Sequence, residues 1–254
     1  MLPAERRKEI IEVLKRDEKI VVDEVAAKLN VSPMTIRRDL QQLEKEEVLT
    51  RTHGGAVLGE KLTQEIPYDE KKQENTEAKE KIADQAATLI EDGYTIILDA
   101  GTTNMAIAKR LDKFKNIKVV TNDLLIASYL SQQEVDVYCS GGEIQKNTGA
   151  CFGSAALRFF SELYADIAFV GTSAVDVVAG ITTPTLDKAE LKKRMLSAGE
   201  KKVLVADSSK FGKKSFAKVV DLRDLDVVIT DSDLPQNLID TINSEQESIK
   251  ATIV

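Results

Sequence analysis

Apolar residues near the start of the chain recur with the period of an α-helix. Ile36, Leu40 and Leu43 fall at positions i, i+4 and i+7, which places them on one face of a helix. Ser32 and Pro33 predict where this helix begins, because a Ser hydroxyl accepts a hydrogen bond from a free backbone N–H, and Pro has none to satisfy. The opposite face carries Met34, Arg38, Gln41 and Lys45, with Arg37 at its flank. Such a helix buries one side and exposes a basic one.

Two further helices and a hairpin are predicted around this basic helix. Residues 23–30 have the pattern of a short helix that ends near Asn30, and Ile10, Ile11 and Leu14 form the inner face of a longer first helix. The pair Gly54-Gly55 lies between the β-prone segments 48–52 and 56–58, and we expect it to supply the positive φ of a tight turn. This order of elements predicts a winged helix-turn-helix domain, which binds duplex DNA.

After a polar stretch, the pattern changes to short β-branched runs. They lie at residues 95–98, 117–120, 135–138, 167–170, 203–206 and 227–229. Spacings of roughly 20 to 30 residues, filled by helical or loop sequence, are typical of strand-helix-strand units in a mainly parallel sheet. The sequence therefore predicts an α/β protein with three parts. These are a winged helix-turn-helix domain at 1–58, a linker at 59–76 and a larger α/β domain, Rossmann-like in architecture, at 77–254.

Composition refines this division. The net charge is -7, yet the first 58 residues hold 11 Lys or Arg and 11 Asp or Glu, so the whole excess of acid belongs to the remainder. We interpret this either as phosphate attraction confined to the small domain or as ordinary solubility. Cys139 and Cys151 are expected to be buried apolar side chains, and His53 is the sole His, so we expect neither a metal nor a cofactor. Without a long apolar run or a signal-peptide core, we expect a soluble cytoplasmic protein that does not bind membranes.

Polar and glycine-rich turns follow the predicted strands. In an open parallel sheet these turns meet at the carboxyl ends of the strands, where ligands bind. Gly101-Thr102-Thr103 opens a predicted helix, whose free N–H groups would face an anion. Lys210 can add a positive charge, while Asp99 and Asn122 can hydrogen-bond sugar hydroxyls. One such turn is ordinary in any α/β protein, but the recurrence after each strand indicates a site for a phosphorylated polyol.

These residues also carry a family resemblance that covers essentially the whole chain. Near the amino terminus, the motifs Thr35-Ile36-Arg37-Arg38-Asp39-Leu40 and Arg51-Thr52-His53-Gly54-Gly55-Ala56 resemble the winged helix-turn-helix of DeoR-type bacterial repressors. Glu46-Glu47 departs from that pattern, because the family usually has a Gly between the recognition helix and the wing. The second part resembles the effector domain of the same family, and its matching motifs include Asp99-x-Gly101-Thr102-Thr103 and Asp207-x-Ser209-Lys210-Phe211.

The resemblance implies a fold similar to ribose-5-phosphate isomerase for the larger domain, and a role in sensing phosphorylated sugars or related metabolites. Predicted DNA contacts are Ser32, Met34, Thr35, Arg37, Arg38, Gln41, Arg51 and His53. Predicted effector contacts are Asp99, Gly101, Thr102, Thr103, Thr121, Asn122, Gly141, Gly142, Lys146, Thr148, Glu190 and Lys210. Lys146 stands where family members often carry Arg. Glu190, with Lys193 and Arg194, either reaches over the pocket or belongs to the exposed face of a helix.

We consider three functions. The leading hypothesis is a repressor of a carbohydrate or sugar-acid operon that binds double-stranded operator DNA as a homodimer or homotetramer and is relieved by a phosphorylated sugar or sugar acid. The second is a sugar-phosphate isomerase with a DNA-binding appendage, in which Asp99 or Glu190 acts as the base and Lys210 polarises the carbonyl. The third is an activator, which would use the same residues as the repressor. Effector identity and operator sequence stay open.

Overall fold

The structure, a computed structural model, describes residues 2–17, 19–45, 48–52, 54–58, 62–63, 65–244 and 250–254. Its contacts divide the chain into two compact units, Met1–Gln64 and Glu65–Val254. Residues 65–76, which the sequence analysis assigns to the linker, fall in the second unit in this division. Tyr68 N, for example, donates to the carbonyl of Asn147 at 2.9 Å.

The first unit is a three-helix domain with a small antiparallel sheet. Its elements are α1 (Pro3–Asp17), β1 (Lys19–Val21), α2 (Val22–Leu29), α3 (Pro33–Lys45), β2 (Leu49–Thr52) and β3 (Gly55–Leu58). The strand order is β1-β3-β2, so the predicted hairpin gains a third strand from the segment between the first two helices. The helices and the sheet enclose one core, in which the apolar face of α3 (Ile36, Leu40 and Leu43) is at most 1% exposed.

The ends of these helices follow the predicted chemistry, while the hairpin differs from it. Thr35 N donates to Ser32 Oγ at 3.2 Å, which caps α3, and Asn30 ends α2 in the left-handed region at φ 52°. Of the two hairpin glycines, only Gly54 has a positive φ, of 90°. Gly55 is needed for another reason, because a Cβ there would stand 1.9 Å from the carbonyl oxygen of Ile20 on β1.

The second unit is built on a seven-stranded parallel sheet in the order β15-β14-β12-β9-β4-β5-β6. Its strands are β4 (Thr95–Leu98), β5 (Lys118–Thr121), β6 (Asp136–Cys139), β9 (Ala165–Val170), β12 (Gly199–Val205), β14 (Val227–Thr230) and β15 (Lys250–Ile253). Each of the six predicted runs overlaps one of these strands, which confirms the α/β fold class. The sequence did not predict β15.

Helices cover both faces of this sheet, as a parallel sheet requires. They are α4 (Tyr68–Gln73), α5 (Thr76–Ala87), α6 (Thr102–Ala108), α7 (Leu124–Leu130), α8 (Ser154–Ser161), α9 (Leu186–Ala198) and α10 (Gln236–Ser244). Alternate strand residues enter two different cores. On β4, Ile96 and Leu98 pack with α5, α6 and α7, while Ile97 packs with α8 and α9. In the part of the chain that the structure describes, no helix is long and apolar enough to cross a membrane.

Two smaller sheets, which the sequence analysis missed, complete the second unit. An antiparallel sheet contains β10 (Ala174–Asp176), β11 (Gly180–Thr183) and β13 (Ala217–Lys218), and a hairpin pairs β7 (Glu143–Ile144) with β8 (Cys151–Phe152). In the main sheet, the chain runs outward from β4 through β5 to β6 and then returns to β9, on the other side of β4. The change of direction lies between β4 and β9, and such a switch point opens a crevice at the carboxyl ends of the strands.

Candidate nucleic-acid interface and effector crevice

The outer face of α3 is exposed over its whole length. Met34 is 56% exposed, and Arg37, Arg38 and Gln41 are also exposed, while Thr35 is half-buried. The predicted stripe therefore has the orientation that reading a groove requires, with two guanidinium groups available to bases or phosphates. Ser32 Oγ is engaged locally, since it lies 2.9 Å from Thr35 Oγ1 as well as accepting from the Thr35 N–H.

A buried ion pair fixes α3 from behind. Arg6 on α1 donates to both carboxylate oxygens of Asp39, with Nε–Oδ2 at 2.5 Å and Nη2–Oδ1 at 3.2 Å. Asp39 is 5% exposed. The hydrogen bond to Asp39 raises the pKa of Arg6 further above its ordinary value, against the opposing effect of burial. The bidentate geometry sets the direction of α3 relative to α1, and with it the direction in which Arg37 and Arg38 project.

The wing is only partly available for phosphate contacts. Arg51 N donates to Glu44 Oε1 at 3.1 Å, and its Nη1 lies 3.7 Å from Glu44 Oε2. Arg51 is thus paired with the last turn of α3, although its side chain keeps 40% of its surface exposed. His53 and the pair Glu46-Glu47 lie outside the described residues.

In the second unit, the turn after β4 is held by side chains that follow β5. Ala100 N donates to Asn122 Oδ1 at 2.9 Å, and Gly101 N donates to Asp123 Oδ2 at 3.1 Å. These contacts fix the turn that leads into α6. Burial raises the pKa of the Asp123 carboxyl, although hydrogen bonds from Ile126, Leu125 and Gly101 oppose the shift.

The predicted residues of this region divide between interior and surface. Asp99, Thr121 and Asn122 are at most 2% exposed, and the hydroxyl of Thr121 accepts from Asp123 N at 3.0 Å. Thr121 therefore shapes the turn and cannot face a ligand. Thr102 and Thr103 are half-buried at the start of α6.

Asp99 is the central charge of the crevice. Its Oδ2 accepts from Gly171 N at 3.0 Å and from the ammonium of Lys192, which also donates to the Gly171 carbonyl at 3.0 Å. Asp99 follows β4 and Gly171 follows β9, so the ion pair lies at the switch point. Lys192 is not among the predicted contacts. It lies four residues from Lys188 on the inner face of α9, where both side chains are 8% exposed, and no sequence pattern distinguished the two from the exposed Lys193 of the same helix.

Glu190 lies elsewhere on the same helix. It is exposed, like Lys193 and Arg194, which agrees with the helix-face alternative rather than with a group reaching into the pocket. Glu190 is two residues from both Lys188 and Lys192, which corresponds to a rotation of about 200° around the helix axis. It therefore lies on the side of α9 opposite to the two lysines. Glu190 as an effector contact therefore lacks structural support.

A second polar cluster surrounds Asp207, after β12. Asn75 Nδ2 donates to Asp207 Oδ1 at 2.8 Å, Ser209 Oγ donates to the same oxygen, and Lys210 Nζ lies 4.0 Å from Asp207 Oδ2. Lys79 is nearby and buried; burial lowers its pKa, while the charge of Asp207 raises it. The predicted cation Lys210 is thus one of two ammonium groups at this cluster.

The remaining predicted contacts lie on or near the β7-β8 hairpin. Gly141, Gly142 and Lys146 are exposed. Thr148 Oγ1 lies 2.9 Å from Gln145 Oε1, so this hydroxyl is used within the turn. Gly142 allows a close approach of two strands, because a Cβ there would stand 2.2 Å from the carbonyl oxygen of Phe152.

Glu65 connects the beginning of the second unit to α9. Its carboxylate accepts from Lys71 at 2.7 Å and from the ammonium of Lys188. Burial lowers the pKa of Lys188 to about 8, although the charge of Glu65 opposes the shift. The burial of Glu65 disfavours its charged form, but Lys188 and Lys71 hold its pKa below the ordinary value.

Comparison with known proteins accounts for both units. A model of the DeoR-like helix-turn-helix domain matches residues 6–61, and a model of the DeoR C terminal sensor domain matches residues 74–232. The chain belongs to the DeoR family. It is 38% identical over 254 residues to the HTH-type transcriptional regulator GlpR of Haloferax volcanii, covering 100% of this chain and 98% of that protein.

Other DeoR-family relatives are named as repressors. The chain is 31% identical to the glycerol-3-phosphate regulon repressor of Escherichia coli K12, with 95% of this chain and 96% of that protein covered. It is 33% identical to a putative aga operon transcriptional repressor of Escherichia coli O157:H7, over 91% of this chain and 87% of that protein. Among solved structures, the chain is similar to ribose 5-phosphate isomerase A from Methanocaldococcus jannaschii, with a TM-score of 0.41, 19% identity and coverage of 54% of this chain and 55% of that chain.

These full-length relatives favour a DNA-binding transcriptional regulator over the isomerase alternative, because their match extends through the helix-turn-helix domain as well as the sensor domain.

Proposed function

We propose that this DeoR-family regulator represses a carbohydrate or sugar-acid operon and is released from its operator by a phosphorylated sugar or related metabolite. In this proposal, residues 1–58 bind duplex DNA, the second unit binds the effector, and the protein acts in the cytoplasm as a homodimer or homotetramer. The names of the glycerol-3-phosphate and aga relatives support the repressor assignment.

The observation that carries the DNA-binding role is the exposed face of α3 on a rigid support. Arg37 and Arg38 are exposed, while the ion pair between Arg6 and Asp39 and the apolar stripe of α3 hold the helix behind them. Exposed guanidinium groups on a recognition helix donate two hydrogen bonds to a guanine edge or contact phosphates.

The DNA-binding role is tested with Arg38→Ala. Operator duplexes are first selected from a random pool by the wild-type protein, and affinities are then measured by gel shift at two salt concentrations. We expect Arg38→Ala to weaken binding by about 10-fold to 100-fold, the effect of losing one good base or phosphate contact. Arg16→Ala is the matched control, because Arg16 is an exposed arginine of the same unit that pairs with Asp17 on α1. Equal affinities for wild-type and Arg38→Ala protein would contradict the assignment of α3.

The effector role is proposed for the polar groups at the carboxyl edge of the sheet. Two clusters supply complementary chemistry: Asp99 at the switch point with Asn122 after the neighbouring strand β5, and Lys210 beside Asp207. Gly101, Thr102, Thr103, Gly141, Gly142, Lys146 and Thr148 complete the proposed lining. An effector at 100 times its dissociation constant adds about 2.7 kcal/mol to stability, which a thermal-shift panel of sugar phosphates and sugar acids detects.

The same panel is applied to the selected operator complex. Ligand coupling of about 1 to 3 kcal/mol changes operator affinity by roughly 5-fold to 150-fold, so an effector identified by thermal shift should release the duplex in a titration. If no compound in the panel shifts Tm or releases DNA, the sensor assignment is wrong. Enhanced operator binding with the same compound would instead favour a co-repressor.

A further inference from the structure

Asn104, on the first turn of α6, is a buried amide without a partner in the part of the chain that the structure describes. The residue is 1% exposed, and neither its Nδ2 nor its Oδ1 has a hydrogen-bond partner among the residues that the structure describes. Buried polar side chains are almost always hydrogen-bonded, because leaving such a group unsatisfied destabilises the folded state. Asn104 therefore keeps two donors and an acceptor for a group outside the chain.

The side of Gly171 that carries no side chain faces this amide. A Cβ built on Gly171 would stand 3.7 Å from Asn104 Nδ2, 3.8 Å from Asp99 Oδ2 and 4.0 Å from the carbonyl oxygen of Val205, which are ordinary van der Waals distances. Because Gly171 has no side chain, no group of this residue stands between the amide of Asn104 and the carboxylate of Asp99. Lys192 borders the same place, since its ammonium contacts Asp99 and the carbonyl of Gly171.

The charges around this position select the kind of atom that fits. Asp99 and Lys192 compensate each other, and Asp123 adds a second carboxylate that interacts with Asp99. A phosphate bound here would be repelled by two carboxylates and attracted by one ammonium. A hydroxyl, by contrast, can accept a hydrogen bond from Asn104 and donate one to Asp99. The environment is therefore complementary to a hydroxyl group rather than to a phosphate.

We propose that Asn104, Asp99 and Lys192 form a subsite over Gly171 that binds a hydroxyl group on the carbon chain of the effector. This rests on the proposed function, and it adds Asn104, Gly171 and Lys192 to the residues that determine effector specificity. The phosphate of the same molecule then lies outside this subsite. The hydroxyl supplies the hydrogen bonds that Asn104 does not make with the described residues, so ligands without a hydroxyl at this position are discriminated against.

The stability of two variants tests the unsatisfied amide first. Asn104→Leu keeps the shape of the side chain and removes the buried polar atoms, so we expect Tm to rise by about 2 °C or more, whereas loss of a structural hydrogen bond would lower it. Thr230→Val is the matched control, because Thr230 Oγ1 is also buried and unpartnered, on a strand that β9 and β12 separate from β4. We expect the same direction of shift for both. A lower Tm for Asn104→Leu, as a structural water on the amide would cause, contradicts the proposal.

Ligand affinity then tests the subsite itself. Calorimetric titrations of the full chain use glycerol 3-phosphate, fructose 1-phosphate, glucose 6-phosphate and, as a phosphate without hydroxyls, propyl phosphate. We expect the best sugar or polyol phosphate to bind wild-type protein at least about tenfold more tightly than propyl phosphate. Asn104→Leu and Gly171→Ala should reduce that preference by about tenfold or more, while Thr230→Val keeps it. Gly171 does not have a positive φ, so the alanine variant places a methyl group there without backbone strain.

The outcomes separate this inference from the proposed function. If wild-type protein binds a sugar phosphate and both Asn104→Leu and Gly171→Ala bind it equally well, the hydroxyl subsite is wrong and the sensor role stands. If wild-type protein binds none of the four compounds, the sensor assignment fails, and the subsite fails with it. If the variants instead bind propyl phosphate more weakly by the same factor as they bind the sugar phosphates, the phosphate occupies this subsite. That result would overturn the assignment of a hydroxyl.

Discussion

The two units of the molecule differ in where their charged groups lie and in whether every buried polar group is paired among the described residues. In the first unit, the buried charges Arg6 and Asp39 satisfy each other in a bidentate pair, and Arg37 and Arg38, the proposed DNA contacts, project into solvent. In the second unit, charges and amides are concentrated inside the carboxyl edge of the sheet, and Asn104 has no partner among the described residues. The difference matches the two ligands, because a DNA surface is met by exposed charge on a rigid support, whereas a small molecule must be enclosed by groups that still have hydrogen bonds to make.

The largest effect is expected when one partner of the buried pair between Arg6 and Asp39 is removed. Asp39→Ala leaves the Arg6 guanidinium buried without its carboxylate, so we expect a loss of about 3 kcal/mol in the free energy of unfolding of this unit. Hydrogen exchange of the amides of α1 and α3, measured at increasing urea concentrations, gives this free energy of unfolding. The double variant Arg6→Met with Asp39→Leu removes both charges and should recover most of the loss. A change below about 1 kcal/mol in Asp39→Ala would mean that the pair does not support α3.

In the second unit, the pH dependence of stability tests the burial of Lys188. Burial lowers the pKa of Lys188 in the folded state to about 8, against an ordinary value of 10.5. Between these values the unfolded chain binds more protons at this residue than the folded chain does, so its contribution makes stability rise with pH across the window from about 8 to 10.5. The rise should be on the order of 2 kcal/mol.

Lys188→Met tests the source of that rise. The variant removes the titrating group and should flatten this part of the stability curve, as measured by urea unfolding at pH 7.5 and pH 10. Lys193→Met, an exposed lysine on the same helix, is the control and should keep the slope. An unchanged slope in Lys188→Met would show that other groups titrate in this range.

The smallest predicted effect is the difference in stability loss between alanine substitutions at the two glycines of the wing, Gly54 and Gly55. Gly55→Ala places a Cβ against the Ile20 carbonyl and forces β1 and β3 apart, for which we expect a loss of about 2 to 3 kcal/mol from a clash with backbone. Gly54→Ala meets no atom within 4 Å, so its cost is the positive φ alone, about 1 kcal/mol. The difference of about 1 to 2 kcal/mol is measured by thermal unfolding of the two variants in parallel. Equal losses would show that β1 does not hold β3 at that distance.

The parts of the fold that the sequence predicted are those governed by local patterns. The apolar stripe of α3 and the Ser32 cap follow from helix geometry, and the six β-branched runs are strands of one sheet. By contrast, β1 and β15 are strands only because they pair with segments distant in sequence, β1 with β3 in the wing sheet and β15 with β14 in the main sheet. Their short sequences carry no signal for such partners.

The candidate site shows the same limit more strongly. Charged residues on a helix normally face solvent, so Lys188 and Lys192 gave no reason to expect burial until Glu65 and Asp99 were placed opposite them. The sequence also could not show that Asn122 and Asp123 would accept from the N–H groups of Ala100 and Gly101, the two residues before α6. Each of these omissions concerns which distant group satisfies a polar atom.

The hydrogen bonds from Ala100 and Gly101 to the side chains after β5 also bear on how strongly a small effector can be held. Because side chains of the same chain hold the loop beyond β4 in its shape, little conformational entropy is lost there when a ligand binds. Most of the binding free energy can then come from a handful of directional contacts. For a metabolite with few atoms, such preorganisation is what makes micromolar recognition attainable.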